Sequence, residues 1–223
     1  MTDKLYLKTI KCPVCEKETE IPYPRKGSFR SNKTDTDFMK YYEGLDLSFY
    51  SISYCSECGY AALSSSFDDI TENQRELIKE KISSKWSDDL NKEEYTIDDA
   101  IKLHKLALLN AIVKEAENGE KALLCLRLSW LYRLKGDKEN ESRFQKSAVM
   151  SFESAYQTEA LPIGGLDKWH LLYLIGELYR RLGNMEKANI HFGQVLSSTS
   201  VPYKLKEMVR DMRELIKETE GKK

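Results

Sequence analysis

Two pairs of cysteines carry the clearest chemical signal in this chain. Cys12 and Cys15 form one Cys-x-x-Cys pair, and Cys55 and Cys58 form a second. Each spacing lets two thiolates on one tight turn reach the same ion, and two such turns complete the all-sulfur tetrahedral shell of a structural zinc site. A disulfide pair would need an oxidising compartment, and a thioredoxin-like redox site uses one such motif rather than two. The spacing therefore predicts one structural zinc ion.

A short acidic segment is the second candidate for chemistry. Asp35 and Asp37 are separated by one residue, with Arg30 and Lys33 close by. Alternate residues of an extended segment point the same way, so both carboxylates would face one ligand or cation. In the alternative interpretation, which we favour, the aspartates cap a short helix over residues 37–42 or pair with their basic neighbours.

An aromatic cluster follows the acidic segment. Phe38, Tyr41 and Tyr42 are predicted to cover the small zinc-binding region. The alternative is that Tyr41 and Tyr42, together with Tyr50 and Tyr54, stack on the bases of a nucleic acid.

Three arginines are candidates for contacting a partner. Arg133, Arg180 and Arg181 lie near the ends of predicted helices, where they would engage the acidic groups of a protein. A solvated surface is the simpler interpretation for each of them.

The elements that position these residues divide into two parts. Residues 1–66 are predicted to form a zinc-ribbon-like domain in which residues 16–54 include a polar and aromatic insertion. Alternation between the two faces of residues 49–54 is typical of a strand. Strands are predicted at residues 6–11, 19–23, 49–54 and 60–63.

Residues 67–223 are predicted to form a helical domain. Thr71 and Thr96 each precede a side chain three positions later that completes a capping box, and Gly136 and Gly183 are suited to helix ends. Helices are predicted over residues 71–86, 96–119, 120–135, 138–157, 167–182 and 185–196, with a last amphipathic helix after residue 202.

The helical part contains an internal repeat. The sequence of residues 131–137 recurs with changes at residues 178–184, as stacked helical hairpins require, because one hairpin cannot bury its apolar face alone. The second copy resembles a tetratricopeptide (TPR) repeat, whose large, small and aromatic positions are matched by Leu172, Ile175, Gly176, Tyr179, Gly183, Ala188 and Phe192. This resemblance implies a mainly α fold, a TPR-like helical hairpin solenoid behind a small N-terminal β zinc-ribbon domain. The alternative is a generic helical bundle.

The N-terminal motifs add a more specific resemblance. They are Cys12-Pro13-x-Cys15, then Asp35-Thr36-Asp37-Phe38-x-x-Tyr41-Tyr42, then Tyr54-Cys55-x-x-Cys58-Gly59-Tyr60-Ala61-Ala62. Together they resemble a bacterial family known only as a domain of unknown function (number twenty-two twenty-five), over nearly the whole chain. The resemblance implies a zinc ribbon joined to TPR-like helices, and it implies no activity.

The composition restricts the classes of partner. The chain has 35 Lys and Arg against 36 Asp and Glu, a net charge of −1, which tells against the phosphate contacts of a nucleic-acid-binding protein. The N-terminus lacks the apolar core of a signal peptide, and no apolar stretch is long enough to span a membrane. With reduced cysteines, these features predict a cytoplasmic protein.

These observations predict a non-enzymatic adaptor or scaffold. A helical solenoid would bind a protein or peptide segment on its concave face. The positions that some TPR domains use to clamp a C-terminal carboxylate hold Tyr173 and Glu177, which argues against that ligand. Nucleic-acid binding by the ribbon is the alternative function. An enzyme that uses Asp35 and Asp37 is the least favoured, because no catalytic motif is present.

Overall fold

The computed structural model describes residues 3–87, 90 and 92–220. Short strands come first and α-helices follow. The strands are β1 (Leu5–Lys11), β2 (Glu18–Pro24), β3 (Ser31–Thr34), β4 (Lys40–Tyr42), β5 (Ile52–Tyr54) and β6 (Ala61–Leu63). The α-helices are α1 (Glu72–Lys81), α2 (Ile97–Val113), α3 (Asn118–Lys135), α4 (Lys138–Thr158), α5 (Lys168–Arg181), α6 (Met185–Ser197) and α7 (Tyr203–Glu220).

Three antiparallel strand pairs make up the N-terminal part. β1 pairs with β2, β3 with β4, and β5 with β6. The turn between β1 and β2 contains Cys12 and Cys15, and the turn between β5 and β6 contains Cys55 and Cys58. Each cysteine pair therefore lies at the tip of its own hairpin, with the β3–β4 hairpin inserted between them.

The helix predicted over residues 37–42 is wrong, because this segment closes the β3–β4 hairpin. The Asp35 amide donates to the carbonyl of Met39 (2.7 Å), and the Phe38 amide donates to the carbonyl of Asp35 (3.0 Å). Phe38 adopts a φ of 68°, which a right-handed helix does not allow. Strand pairing with β3 thus satisfies the backbone groups that a local helix would have used.

The strand predicted at residues 49–54 begins only at Ile52. Residues Leu47–Tyr50 form a 3₁₀ turn. The carboxylate of Asp46 accepts a hydrogen bond from the Ser48 amide (2.8 Å) and so caps this turn.

The helix ends follow the local signals in the sequence. Thr71 and Thr96 form the two predicted capping boxes at the starts of α1 and α2. Gly136, after α3, has a φ of 80°, and Gly183, after α5, has a φ of 81°, the left-handed conformation that ends many helices. The start of α3 depends instead on a distant residue, because the carboxylate of Glu159 accepts from the amides of Asn118 and Gly119.

The mainly helical architecture is confirmed. The closest helix pairings join α3 with α4 and α5 with α6, while α2 packs on α3 and α7 packs on α5 and α6. A Cβ on Gly176 would lie 2.7 Å from the ring of Phe192, so glycine permits the close approach of α5 and α6 that the repeat pattern requires. The arrangement of these hairpins as a TPR-like solenoid stays a prediction.

The apolar core continues from the strands into the helices. One cluster lies among α2 to α7. A second joins strand residues such as Tyr54 to Leu103 and Ala107 of α2. A third surrounds the cysteines and includes Ile78 and Ile82 at α1. A domain boundary at residue 66 stays a prediction, and the strand region packs directly on α1 and α2. Within the described residues, no helix combines the length and hydropathy needed to cross a membrane.

Candidate functional site

The four cysteines form a compact sulfur cluster. The Sγ atoms of Cys12, Cys15, Cys55 and Cys58 all lie within 4.8 Å of one another. The Cys12–Cys58 and Cys15–Cys55 sulfur pairs are each 3.6 Å apart. Zn–S bonds of about 2.3 Å in a tetrahedron place the sulfurs roughly 3.8 Å apart, so the residues present fit a four-sulfur metal site. Such a complete shell leaves no open position for a substrate.

The two cysteine turns share one backbone design. In the first, the Cys12 amide donates to the carbonyl of Lys17 (2.9 Å) and the Glu16 amide donates to the carbonyl of Cys12 (2.9 Å). The second turn repeats both bonds, from the amides of Cys55 (2.8 Å) and Gly59 (2.9 Å). Glu16 and Gly59 occupy the same left-handed position, with φ of 62° and 71°. This repetition orients two thiols of each turn toward one point.

Trp86 covers the second cysteine turn. Its indole Nε1 donates to the carbonyl of Ser56 (2.6 Å), and a Cβ on Gly59 would lie 2.5 Å from the indole ring. Two contacts tie the turns together, the Lys17–Glu57 ion pair (2.9 Å) and a Thr19–Ser56 hydroxyl contact (3.0 Å). The indole thus limits access of water to the cluster from this side.

The close sulfur contacts shift the pKa values of the thiols in opposite directions. Contacts with the sulfurs of Cys12 and Cys58 lower the pKa of Cys55. The contact with Cys55, together with burial, raises the pKa of Cys12. Because zinc binds thiolates, metal binding at this cluster would release the protons that remain.

The acidic segment meets two of the predicted arginines. We call residues 35–38 the acidic loop. Arg133 of α3 donates through Nη2 to Asp37 Oδ2 (2.6 Å) and through Nη1 to Asp35 Oδ2 (2.9 Å). Arg181, at the end of α5, donates through Nη2 to Asp35 Oδ1 (2.7 Å) and to the hydroxyl of Thr36 (2.7 Å). The repeated helix ends therefore bind a segment of the same chain.

Three further side chains, of which the sequence analysis missed Trp130, complete the contacts of the acidic loop. The Trp130 indole donates to Asp37 Oδ2 (3.0 Å), and Tyr173 Oη donates to the carbonyl of Thr36 (2.9 Å). The Thr36 hydroxyl donates to Glu177 Oε1 (2.5 Å). Trp130, Arg133, Tyr173, Glu177 and Arg181 form what we call the inner groove between α3 and α5. Two of these residues can be found from the sequence, because Tyr173 and Glu177 occupy the clamp positions of the TPR repeat.

The arginines of the inner groove and the aspartates of the acidic loop stabilise each other's charged forms. Burial alone would lower the pKa of Arg133, but the hydrogen bond and charge of Asp37 raise it above its ordinary value. Burial alone would likewise raise the pKa of Asp35, yet the Thr36 amide and the charges of Arg181 and Arg133 hold it below its usual range. Charge-assisted bonds of this kind are among the stronger hydrogen bonds in proteins.

Residues 5–216 match a family whose description is "Uncharacterized protein conserved in bacteria (DUF2225)". The chain belongs to this family. The resemblance drawn from the N-terminal motifs is thereby confirmed, and both the cysteine cluster and the inner groove lie within the matched residues. No curated protein matches the chain, and no solved structure matches it.

The other predicted site residues of this DUF2225 member lie in several environments. Tyr41 Oη donates to Asp35 Oδ2 (3.2 Å), so Tyr41 belongs to the acidic-loop contacts. Arg180 donates through Nε to Glu177 Oε2 (2.7 Å). Arg30 is exposed and Tyr42 is partly buried beside the loop. A partner-binding role for these residues stays a prediction.

The tyrosines proposed to stack on bases differ in exposure. Tyr50 and Tyr54 are 3% and 0% exposed, so they face the core and not the solvent. Tyr41 and Tyr42 are partly buried. Base stacking by this family member would therefore rest on Tyr41 and Tyr42 alone.

Proposed function

We propose that this protein is a zinc-stabilised, non-enzymatic interaction protein whose TPR-like hairpins bind an acidic segment of a partner protein. The cysteine cluster would hold one structural zinc ion, and the protein would act in the cytoplasm, where thiols stay reduced. The observation that carries the proposal is that the inner groove already binds a segment of the chain itself, the acidic loop at the turn between β3 and β4, through charged and hydrogen-bonded side chains.

The contacts of the inner groove define the chemistry of the segment it would take. Arg133 and Arg181 bind carboxylates two residues apart, and Glu177 accepts from the hydroxyl between them. The ring of Phe38 lies 5.4 Å from that of Tyr173. A partner segment with two alternate carboxylates followed by an aromatic residue would reproduce these contacts. Most of the recognition comes from bidentate and charge-assisted bonds.

Zinc binding would affect this groove indirectly, through the position of the acidic loop. The cysteine turns anchor both ends of the insertion that carries the acidic loop, so a folded zinc module holds the loop against α3 and α5. A partner segment would have to displace the loop, and the free energy of docking the loop would set the threshold for binding. The protein would in this way bind only partners that compete effectively with its own loop.

A peptide supplied in trans tests the proposal. Replacing the loop by Asp35→Gly, Thr36→Ser, Asp37→Gly and Phe38→Gly removes the side chains that occupy the groove, and a zinc-loaded, folded sample of this variant is the one tested. We expect a fluorescent peptide of residues 31–42 to bind this variant, measured by anisotropy, and to bind the unaltered protein much more weakly. Adding Arg133→Gln to the loop-replaced protein should abolish binding.

Circular dichroism and zinc content are the controls for folding. The loop-replaced protein should also crosslink to proteins in its native host that the unaltered protein captures less well. If the folded, zinc-loaded variant bound neither the peptide nor any host protein, the proposal would be overturned.

A further inference from the structure

A cleft of about 500 Å³ lies between the strand region and α3, apart from the cysteine cluster and beside the inner groove, with which it shares Trp130. Its walls come from the end of β2, from the β3–β4 hairpin, from the segments on either side of the β5–β6 hairpin, and from Arg127 and Trp130 of α3. Clefts of this size bind small organic molecules in many proteins.

Arg127 is the unusual residue in this cleft. Within the part of the chain that the structure describes, its guanidinium has neither a hydrogen bond nor an ion pair, although Arg133 on the same helix has several. Arg127 is partly buried, and burial lowers its pKa with no neighbouring carboxylate to oppose the shift. A partly buried cation that lines a cleft without a described partner is suited to an anionic ligand, because a carboxylate or phosphate would supply the charge-assisted bonds that the protein does not.

The charges around Arg127 do not supply that partner. No described residue that lines the cleft is acidic, and the other charged side chain is Lys40, which is exposed. Arg127 also borders a second cleft whose lining includes Asp69, Glu117, Glu120 and Glu159. Glu120 pairs with Lys114 (2.9 Å), and Glu159 accepts from the amides at the start of α3. Asp69 and Glu117 are exposed, and neither forms an ion pair with Arg127 in the described part of the chain.

Two serine hydroxyls, of Ser51 and Ser64, line the same cleft as Arg127. Ser64 Oγ accepts a hydrogen bond from Ser53 Oγ (2.9 Å), and among the described residues its own proton has no acceptor. Ser51 Oγ lies 2.9 Å from His104 Nε2 on the inner side of the cleft. A guanidinium and a free hydroxyl proton together suit the oxygens of a carboxylate or phosphate.

Much of the remaining lining is aromatic. The partly buried rings of Tyr23, Phe38, Tyr42 and Trp130 line the cleft, together with apolar side chains such as Met39 and Leu47. Aromatic and apolar walls with a fixed cation are typical of sites that enclose a ring and orient it through one polar group.

We propose that this cleft binds a small ring-containing organic anion, whose carboxylate or phosphate pairs with Arg127 while its ring packs among the aromatic side chains. This site adjoins the inner groove, because Trp130 and Phe38 border both, but its cation is a different one: Arg127 makes no contact with Asp35 or Asp37 in the described structure. A carboxylate and a phosphate ligand would be recognised by the same chemistry, and testing one probe of each kind distinguishes them.

Calorimetric titration of the zinc-loaded, full-length protein tests the site. The probes are adenosine 5′-monophosphate, 4-hydroxybenzoate, inorganic phosphate and uncharged adenosine. We expect at least one of the two ring-containing anions to bind, and to bind more tightly than phosphate or adenosine. Arg127→Met should weaken that binding about tenfold or more, because a hydrogen bond to a charged group is lost. The matched control is Arg210→Gln, which removes an exposed arginine of α7 and should leave binding unchanged.

Thermal unfolding without any probe supplies a second readout that does not depend on the choice of ligand. Arg127→Met should keep or raise the melting temperature, since it removes an unpaired charge, whereas an arginine with a purely structural role would lower it. Ser64→Ala provides a milder variant for the titration. The proposal is overturned if neither ring-containing anion binds in a saturable way, if Arg127→Met binds as tightly as the unaltered protein, or if that variant is clearly less stable.

Discussion

Arg133 and Asp37 form an ion pair that joins the helical hairpins to the strand region, with Nη2 and Oδ2 2.6 Å apart and the Asp37 side chain 0% exposed. Arg133 belongs to α3 and Asp37 to the loop between β3 and β4, so the bond connects parts of the chain that are far apart in sequence. Trp130 donates to the same carboxylate oxygen. The aspartates of the acidic loop and the arginines at the helix ends, two separate groups of candidate residues in the sequence, therefore meet in one contact surface.

Asp37→Asn should destabilise the protein markedly. The substitution removes a buried negative charge and leaves Arg133 with less compensation, and such losses cost about 3 kcal/mol or more. The measurement is the free energy of unfolding in urea. Lys17→Gln is the control, because it breaks the exposed Lys17–Glu57 pair, and exposed ion pairs contribute little to stability. Equal losses of unfolding free energy for the two substitutions would show that the buried pair contributes no more to stability than the exposed pair.

Purified, reduced protein should contain about one zinc ion per chain, as a four-thiolate structural site requires. Cys55→Ser should lose the metal and the folded strand region together, because metal-binding free energy in such sites is largely folding free energy. Cys125→Ser, in α3 and outside the cluster, should keep the metal. Elemental analysis and circular dichroism measure both effects. A metal content far below one per chain in the unaltered protein would refute the zinc assignment.

Gly59→Ala should weaken metal binding more than Gly27→Ala. Both glycines have left-handed backbone, with φ of 71° and 80°, but a Cβ on Gly59 would lie 2.5 Å from Trp86 whereas Gly27 has open space. The free-energy cost of placing alanine in a left-handed backbone conformation, about 1–2 kcal/mol, is common to both variants. Disturbing the turn that orients Cys55 and Cys58 should lower zinc affinity by about 10-fold or more, as changes around metal ligands often do. Competition with a chromophoric chelator gives the affinities, and similar values for the two variants would contradict the role of Trp86.

His104 should make stability fall as the pH decreases from about 6.5. Burial lowers its pKa to about 3, so the unfolded chain binds a proton that the folded chain does not. The stabilisation is complete above the unfolded pKa and decreases as the pH falls toward 3. One such group contributes a loss of about 2 kcal/mol between pH 7 and pH 5.

The comparison with His104→Gln isolates this contribution. The variant should show a smaller loss of unfolding free energy over the same pH range, whatever its stability at pH 7. Acid effects on the cysteine cluster occur in both proteins and cancel in the difference. Parallel pH profiles for the two proteins would rule out a buried neutral His104.

Features set by neighbouring residues were predictable from the sequence. The spacing of Cys12, Cys15, Cys55 and Cys58 predicted a four-sulfur cluster, because each pair acts within a single turn. The capping boxes at Thr71 and Thr96 located the starts of two helices for the same reason. The repeat in residues 131–137 and 178–184 identified paired helices, although it left their arrangement as a solenoid undecided.

Tertiary structure alone decided which of these elements meet. Residues 37–42 pair as a strand instead of forming a helix, because β3 offers their backbone groups partners that no local pattern reveals. The binding of the acidic loop by Arg133 and Arg181, and the isolation of Arg127 beside a cleft, depend on contacts between residues far apart in the chain. Charge and spacing state what each side chain is able to bind, but only the packed chain determines which partner lies within reach.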